Sequence, residues 1–239
     1  MMKEIYFYTK DNVKIAVNQY QQGFDKVLII APGWFMTKDS KPFYNMSIEF
    51  SKYLDVLALD FRGHGKSGGC FTFTSNEVKD LNTVLDFAKN NYNKIYLAGF
   101  SLGGASSIIE ASENKYINKM IVVSTPSDFN KIENNWWKKE AWLPTIKKCE
   151  PKVWMSVRAG NIFQKKIKPV DIIEKVICPT LFIAGEKDPT VYSRHTKLLY
   201  EKAKCEKKFV EFKECYHAED LYIQEHDKFM ELCMDWLCN

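Results

Sequence analysis

Short, continuous apolar runs alternate with longer helix-like segments over most of this chain of 239 residues. A continuous apolar run of strand length suits a strand that is buried on both faces, as in a parallel sheet. Such alternation predicts an α/β fold with a doubly wound, mostly parallel twisted sheet and helices on both faces. The apolar runs span residues 27–31, 56–59, 95–98, 120–123, 180–184 and 209–212, and the helix-like segments span 41–53, 76–90, 102–114, 191–202 and 221–237.

The first 21 residues show a different pattern. Two partly alternating runs, residues 3–9 and 13–21, are rich in Tyr, Val and Ile. The sequence Lys10-Asp11-Asn12 between them has residues that are typical of turns. We therefore predict an antiparallel hairpin at the start of the chain.

Residues 128–170 interrupt the alternation, because they contain no strand-like run and hold Pro144, Pro151 and Pro169. We interpret the whole chain, 1–239, as a single domain with a short helical cap inserted at 128–170, since inserts in such sheets lie over the carboxyl ends of the strands. Tryptophans in this segment either fill the core of the cap or contact a substrate. They are Trp136, Trp137, Trp142 and Trp154, four of the six in the chain.

The composition argues against several classes of protein. The formal net charge is +4, from 34 Lys and Arg against 30 Asp and Glu, so we expect no nucleic-acid partner. We interpret Lys138-Lys139 and Lys165-Lys166 as solvated surface. The seven cysteines are widely spaced and form no C-x-x-C, which argues against a disulfide framework or a zinc site.

The apolar runs also bear on the location of the protein. None approaches the roughly 18–20 residues that a transmembrane helix needs. The first residues, Met-Met-Lys-Glu-Ile-Tyr-Phe-Tyr, lack the features of a signal peptide. We therefore expect a cytoplasmic protein with no membrane span.

The pattern G-x-S-x-G occurs at Gly99-Phe100-Ser101-Leu102-Gly103, between an apolar run and a helix-like segment rich in small residues. This strand–turn–helix setting is the one that a nucleophile elbow requires. The turn is so tight that Gly99 and Gly103 are needed on either side of Ser101. Ser101 is therefore the candidate nucleophile. The alternative is that Ser101 is a simple N-cap of a glycine-flanked helix.

A serine hydroxyl needs a base, and the chain has four histidines. His217 follows the last apolar run and precedes the final helix-like segment, which predicts a position at the same sheet edge as Ser101. His195 and His226 fall inside predicted helices, and His64 lies in a glycine-rich loop. His217 is therefore the candidate base, unless it only caps the following helix.

The third member of a triad is a carboxylate that orients the histidine and stabilises its charged form. The expected chain order places it between the nucleophile and the base. Asp188 fits, because it follows the apolar run at 180–184 directly. Glu186 and Asp128 are alternatives, and Asp188-Pro189 is also compatible with a turn that caps a helix.

An oxyanion formed at Ser101 needs two N–H donors. One is predicted at Leu102, the residue after the nucleophile. The other is predicted at Trp34, in the loop after the run 27–31, because Gly33 lets the backbone approach closely. Trp34 could instead be only a packed aromatic residue of that loop.

Taken together, these residues carry a family likeness. The chain resembles the α/β-hydrolase superfamily through Pro32-Gly33-Trp34, the segment 60–67 (DFRGHGKS), the elbow 99–103, the segment 185–188 (GEKD) and His217. Within it, the chain is similar to small bacterial-type esterases near the cinnamoyl (feruloyl) esterase, monoacylglycerol lipase and serine aminopeptidase-like group. The likeness covers nearly the whole chain, and the cap is its least diagnostic part.

The resemblance implies the same roles for Ser101, Asp188 and His217, with Trp34 and Leu102 as oxyanion donors. It implies that the segment 60–67 is structural, so His64 is not a candidate catalytic residue. One departure is that Pro32 stands where the family often has histidine. That change leaves the Trp34 amide in place but alters the conformation of the loop and the hydrogen bonds behind it.

We therefore predict a serine hydrolase that cleaves a small acyl or aromatic ester through an acyl-enzyme, with no metal or organic cofactor and with a small-molecule ester as its partner. A thioesterase, amidase, peptidase or haloperoxidase uses the same triad, and a non-catalytic binding protein of this fold is the alternative from another class. The sequence does not specify an oligomeric state. Apolar substrate contacts are predicted at Phe35, Trp136, Trp137, Trp142, Trp154 and Phe163.

Overall fold

A computed structural model describes residues 2–132, 151–161 and 163–238. Eight strands within these residues form one sheet in the order β1-β2-β4-β3-β5-β6-β7-β8. The pairs β1/β2 and β2/β4 are antiparallel, and all other neighbours are parallel. The strands are β1 (Met2–Tyr8), β2 (Lys14–Tyr20), β3 (Lys26–Ala31), β4 (Asp55–Leu59), β5 (Lys94–Phe100), β6 (Lys119–Val123), β7 (Thr180–Gly185) and β8 (Lys207–Phe212).

Helices cover both faces of this sheet. Leu81 of α2 and Ile108 of α3 lie in the apolar core on one face, while Phe43 of α1 and Phe229 of α8 lie in the core on the other. The α/β-hydrolase fold is thus confirmed. Five of the six apolar runs lie in strands that are buried on both faces, whereas the run 209–212 lies in the edge strand β8 and is only partly buried. The helices are α1 (Lys41–Phe50), α2 (Glu77–Asn91), α3 (Leu102–Glu113), α4 (Pro151–Met155), α5 (Pro169–Ile172), α6 (Ser193–Lys202), α7 (Asp220–Gln224) and α8 (His226–Cys238).

The initial hairpin is confirmed, because β1 and β2 pair from Met2↔Tyr20 to Tyr8↔Lys14. The helix predicted over 221–237 is two helices instead. Glu225 leaves the helical region with φ −130° and ψ 52°, and the next helix begins at His226. The residues around this break, Gln224-Glu225-His226-Asp227-Lys228, include neither proline nor glycine, which are the usual signals of a helix end, so the sequence analysis missed it.

The predicted cap is only partly described. Residues 133–150, which include Trp136, Trp137 and Trp142, lie outside the described residues, so a cap over the full range stays a prediction. The described part contains α4, α5 and a short 3₁₀ helix at Phe129–Lys131. It is tied to the segment 60–71: Arg158 donates to Gly63 O at 2.8 Å, and Phe71 donates to Arg158 O at 2.7 Å.

No helix within the described ranges is both long and apolar enough to cross a membrane. Across the same ranges, no group of three or more His, Cys, Asp or Glu side chains is arranged to hold a metal ion.

Candidate active site

Ser101 lies between the end of β5 and the start of α3, in strained backbone with φ 52° and ψ −114°. A positive φ is uncommon for a residue other than glycine and costs about 1–3 kcal/mol when the surrounding structure imposes it. The Ser101 N–H donates to Val123 O on the neighbouring strand at 2.8 Å, which holds the turn in place.

The glycines on either side of the turn are required by close packing. A Cβ atom on Gly103 would overlap Ala31 O, at the end of β3, and lie 2.5 Å from the O atom of the next residue, Pro32. On Gly99 it would overlap Ser107 Oγ and lie 2.6 Å from Gly103 O. Gly103 therefore lets the helix start approach the loop after β3, which is the loop that was predicted to supply an oxyanion donor.

His217 joins Ser101 and Asp188 in one chain of hydrogen bonds. The His217 Nε2 atom lies 3.0 Å from Ser101 Oγ, and His217 Nδ1 lies 2.6 Å from Asp188 Oδ2. The imidazole keeps 20 % of its surface exposed, whereas the Asp188 carboxylate is fully buried. The structure thus brings together three residues that are widely separated in sequence, in the predicted order.

Backbone groups fix the Asp188 carboxylate. Its Oδ1 atom accepts from the N–H groups of Thr190 and Val191 at 2.9 and 2.8 Å, which leaves Oδ2 directed at His217. A carboxylate held by several N–H donors is an oriented acceptor for an imidazole N–H. Thr190 and Val191 belong to the turn before α6, which starts at Ser193, later than the sequence pattern predicted.

The two alternative acids have other partners. The Glu186 carboxylate pairs with Lys213 at 2.9 Å and is 37 % exposed. Asp128 pairs with Lys168 at 3.0 Å and accepts from the Asn130 N–H at 3.0 Å. These contacts hold the pKa of both carboxyls below their usual values, with Lys213 and Lys168 as the principal lowering partners.

The His217 loop is held by groups that the sequence analysis missed. Ala218, with φ 49°, donates its N–H to Ser124 Oγ at 3.0 Å. Ser124 is fully buried, follows β6 directly and itself has φ 47°. A polar residue directly after a buried strand at the sheet edge was the signal that could have indicated it.

The two predicted oxyanion donors lie on either side of the nucleophile. Leu102 is the first residue of α3, where an N–H has no acceptor within its own helix. The loop that carries Trp34 lies against Ser101, because a Cβ on Gly33 would be 3.2 Å from Ser101 Cβ. Both N–H groups therefore belong to backbone that borders the Ser101 side chain.

Aromatic rings line the loop after β3. The Trp34 ring stacks on Phe71 with centroids 5.6 Å apart and an interplanar angle of 9°. The Phe35 ring stacks on Trp154 of α4 at 4.8 Å and 23°. Of the predicted apolar contacts, Phe35 and Trp154 thus meet beside the loop, while Phe163 is 91 % exposed.

The remaining histidines have separate environments. His195 is buried on α6, with Nδ1 2.8 Å from Ser127 Oγ. His226 is half-exposed and lies 2.9 Å from Glu49 Oε2. His64 is buried, and burial lowers its pKa to about 4.

Comparison with known families identifies the family to which the chain belongs. Residues 50–175, more than half of the chain, match the model of the family described as serine aminopeptidase, S33. The chain is a serine hydrolase of the S33 family. Its eight-stranded sheet and elbow serine agree with the α/β-hydrolase superfamily that the sequence resembled.

Two proteins illustrate the relationship of this S33 family member to known hydrolases. The human serine hydrolase BPHL is 25 % identical over 264 aligned positions, which cover 95 % of this chain and 86 % of BPHL. An esterase of Pyrococcus furiosus has a similar structure, with a TM-score of 0.82 at 24 % identity, covering 99 % of this chain and 90 % of the esterase. The structural likeness at that identity shows the shared fold.

The hydrogen-bonded residues of this S33 family member are suited to one kind of chemistry. The imidazole can accept the proton of a serine hydroxyl 3.0 Å away while a buried carboxylate stabilises the resulting charge. Two backbone N–H groups beside the hydroxyl are suited to an oxyanion. This combination serves acyl transfer to an external nucleophile, and esters, thioesters and amides can all be substrates of that reaction.

Proposed function

We propose that this protein hydrolyses carboxylic esters through an acyl-enzyme formed on Ser101. The observation that carries the proposal is the continuous hydrogen-bonded chain from Ser101 Oγ through His217 to the buried Asp188 carboxylate. Such a chain activates a hydroxyl that is otherwise a poor nucleophile.

In the first half of the proposed reaction, Ser101 Oγ attacks the ester carbonyl carbon as its proton moves to His217 Nε2. The carbonyl oxygen becomes an oxyanion between the N–H groups of Trp34 and Leu102. When the intermediate collapses, the ester C–O bond breaks and His217 gives its proton to the departing alkoxide. The products are an alcohol and an acyl ester of Ser101.

In the second half, a water molecule takes the place of the alcohol. His217 Nε2 accepts a proton from the water as its oxygen attacks the acyl carbon. Collapse of the second intermediate breaks the Ser101 ester bond, and the proton returns from His217 to Ser101 Oγ. Asp188 remains ionised throughout and fixes the imidazole orientation.

The aromatic rings beside the loop support an apolar or aromatic acyl group. Phe35 directly follows the proposed oxyanion donor, and its ring stacks on Trp154, near the end of α4. Apolar side chains around a few oriented polar groups are the usual lining of a small-molecule site. We propose that an acyl chain or ring lies against Phe35 and Trp154.

One comparison supports an ester over an aminopeptidase substrate. The structural relative from Pyrococcus furiosus is named an esterase. We therefore propose a carboxylic ester as the substrate class, with an alcohol as the leaving group.

The nucleophile assignment is tested with a fluorophosphonate probe and intact-mass analysis. We expect a single adduct on the wild-type protein and none on Ser101→Ala. The matched control is Ser112→Ala, on the same α3 helix, which should label like the wild type because its hydroxyl only donates to Ile109 O. Labelling of Ser101→Ala would refute the assignment.

The reaction class is tested by kcat/KM on a matched set of substrates. The set is p-nitrophenyl acetate, butyrate and benzoate, their p-nitroanilide counterparts, and aminoacyl p-nitroanilides. We expect kcat/KM to be higher for the esters than for the anilides, and highest for the esters with longer or aromatic acyl groups. Preferred hydrolysis of the aminoacyl p-nitroanilides would replace the esterase proposal with a peptidase.

A further inference from the structure

The segment 60–67 (DFRGHGKS) follows β4, and the loop 33–38, which we name the oxyanion loop, follows β3. Because β3 and β4 are parallel neighbours, both begin at the same edge of the sheet. Asp60 and His64 are fully or almost fully buried there. The proposed reaction gives this segment no role, although it contains an imidazole close to the site.

The backbone N–H groups of the oxyanion loop after Trp34 are all committed to acceptors. Phe35 donates to His64 Nε2 at 3.4 Å, and Lys38 donates to Asp60 Oδ1 at 2.8 Å. Between them, Met36 donates to Gly33 O and Thr37 to Ser40 Oγ. Two of these four acceptors thus belong to the segment 60–67, which anchors the loop at both ends.

The His64 contact falls where the loop is most strained. Phe35 has φ 61°, a left-handed conformation that a bulky side chain rarely adopts. A strained residue persists only where neighbouring groups enforce its conformation. The Phe35 N–H is also the next amide after that of Trp34, so the plane of its peptide bond is shared with the Trp34 carbonyl.

The tautomer of His64 is defined by its own neighbours. His64 Nδ1 lies 3.2 Å from Arg62 O, a carbonyl that can only accept, so Nδ1 carries the proton and Nε2 is an acceptor. The Arg62 side chain is fixed by ion pairs with Asp80 and Asp11 at 2.7 and 2.9 Å. Burial keeps the imidazole neutral, since it lowers the pKa of His64 to about 4.

His64 also supports the Trp34 side of the loop through packing. Its ring meets Phe71 edge-on, with centroids 5.0 Å apart at 90°. Phe71 in turn stacks on the Trp34 indole at 5.6 Å and 9°. One imidazole therefore holds the loop at two successive residues, by a hydrogen bond to the Phe35 amide and by packing behind the Trp34 ring.

From this geometry we infer that His64 is a positioning residue, which holds the oxyanion loop so that the Trp34 N–H points at the oxyanion. It acts through Phe35 and Phe71 and does not touch the reacting atoms. The inference rests on the proposed function, because it assigns a role in stabilising that oxyanion. It predicts a defect in transition-state binding with little change in binding of the ground-state ester.

The test compares His64→Phe and His64→Gln with the wild-type protein. Phenylalanine keeps a ring against Phe71 but offers no acceptor to Phe35, whereas the glutamine Oε1 can take the place of Nε2. Reactive sites are counted first by the fluorophosphonate adduct, so that kcat refers to active protein. We expect His64→Phe to lower kcat about 10- to 100-fold with KM almost unchanged, and His64→Gln to recover most of the loss.

A second measurement separates positioning from damage to the fold. An aryl trifluoromethyl ketone forms a tetrahedral adduct whose oxygen occupies the oxyanion site. For His64→Phe, the dissociation constant of this adduct should rise by the same factor by which kcat/KM falls. His195→Phe, at a buried histidine on α6, is the matched control and should change neither quantity per active site.

The outcomes distinguish the two proposals. If the wild type labels at Ser101 and hydrolyses esters but His64→Phe has normal kcat and normal ketone affinity, the His64 inference is wrong and the esterase proposal stands. Equal losses in His64→Phe and His195→Phe would also overturn it. If Ser101→Ala still labels, or no ester is turned over by the wild type, the proposed function itself fails.

Discussion

His217 and His64 lie in loops that follow β8 and β4, at the same edge of the sheet, and their surroundings are opposite. His217 is one-fifth exposed and contacts a buried carboxylate and a hydroxyl. His64 is almost fully buried and contacts only backbone groups through its two nitrogens. A carboxylate and a path for protons suit an imidazole that changes charge, whereas carbonyl and amide contacts in a dry site suit one that stays neutral.

The contrast also explains how the two histidine loops serve different purposes. On the His217 side, Asp188 is oriented so that positive charge on the ring is stabilised. On the His64 side, the Arg62 carbonyl fixes the tautomer and the neutral ring orients an amide. Histidine thus transfers a proton at one end of the site and orients a backbone amide at the other.

The largest expected effect is on the His217 side. His217→Gln should lower kcat for an ester by about 10⁵-fold, because it removes the imidazole that lies 3.0 Å from Ser101 Oγ and accepts its proton in the proposed reaction. The measurement is steady-state hydrolysis of p-nitrophenyl butyrate with protein whose cooperative unfolding has been verified. The control is His226→Gln, at a half-exposed histidine bound to Glu49, which should remain near wild type. A loss below tenfold for His217→Gln would end the contrast between the two histidines.

Asp188→Asn should produce the next largest loss, about 10³- to 10⁴-fold in kcat. The amide can present its NH₂ to His217 Nδ1, which favours the tautomer with the proton on Nε2 and leaves no acceptor for Ser101. Glu186→Gln is the matched control, since Glu186 pairs with Lys213 at the surface. A larger loss for Glu186→Gln than for Asp188→Asn would exchange the roles of the two acids.

The sequence predicted the triad side of this comparison better than the oxyanion side. Ser101, Asp188 and His217 follow buried strands, and parallel strands bring their carboxyl ends to one edge whatever the details of the loops. The apolar runs located those strands to within two residues at each end. The order of the three residues along the sequence, serine then aspartate then histidine, was then enough to assign them to one triad.

The oxyanion side depends on contacts that no local pattern encodes. The φ of 61° at Phe35 falls on a residue that does not favour it, and the His64 contact joins positions 29 apart. The role of Ser124 likewise depends on a contact with a distant segment, because its hydroxyl accepts from the Ala218 N–H. Such features depend on three-dimensional packing, which overrides local preference at strained sites.

A third prediction concerns the neutral state of His64 and its effect on stability at different pH. The folded protein holds the pKa of His64 at about 4, through burial and the nearby Arg158, whereas the unfolded chain has the ordinary value near 6.5. Between these values the unfolded state binds a proton that the folded state does not. Stability is therefore lost as the pH falls from about 6.5 to 4, by about 3 kcal/mol from this group.

Urea unfolding of wild type and His64→Gln at pH 7 and pH 4 measures this difference. Glutamine does not titrate, so the variant should lose about 3 kcal/mol less than the wild type over that range. Burial raises the pKa of Asp60 to about 6, so this group makes the folded protein more stable as the pH falls. Its contribution is common to both proteins and cancels in the comparison. Equal pH dependence of the two proteins would mean that His64 is protonated as readily in the folded state as in the unfolded one.

The smallest expected effect is at Ser124, which supports the His217 loop as His64 supports the oxyanion loop. Ser124→Ala removes the acceptor for the buried Ala218 N–H and should cost about 2 kcal/mol of unfolding free energy. Ser124→Gly removes the same acceptor but tolerates φ 47°, so it should be less destabilised. If the hydroxyl positions His217, both variants lose the same fraction of kcat despite their different stabilities. If kcat instead falls in proportion to the loss of unfolding free energy, Ser124 has only a packing role. His64 would then be the one of these two supporting residues that affects the reaction.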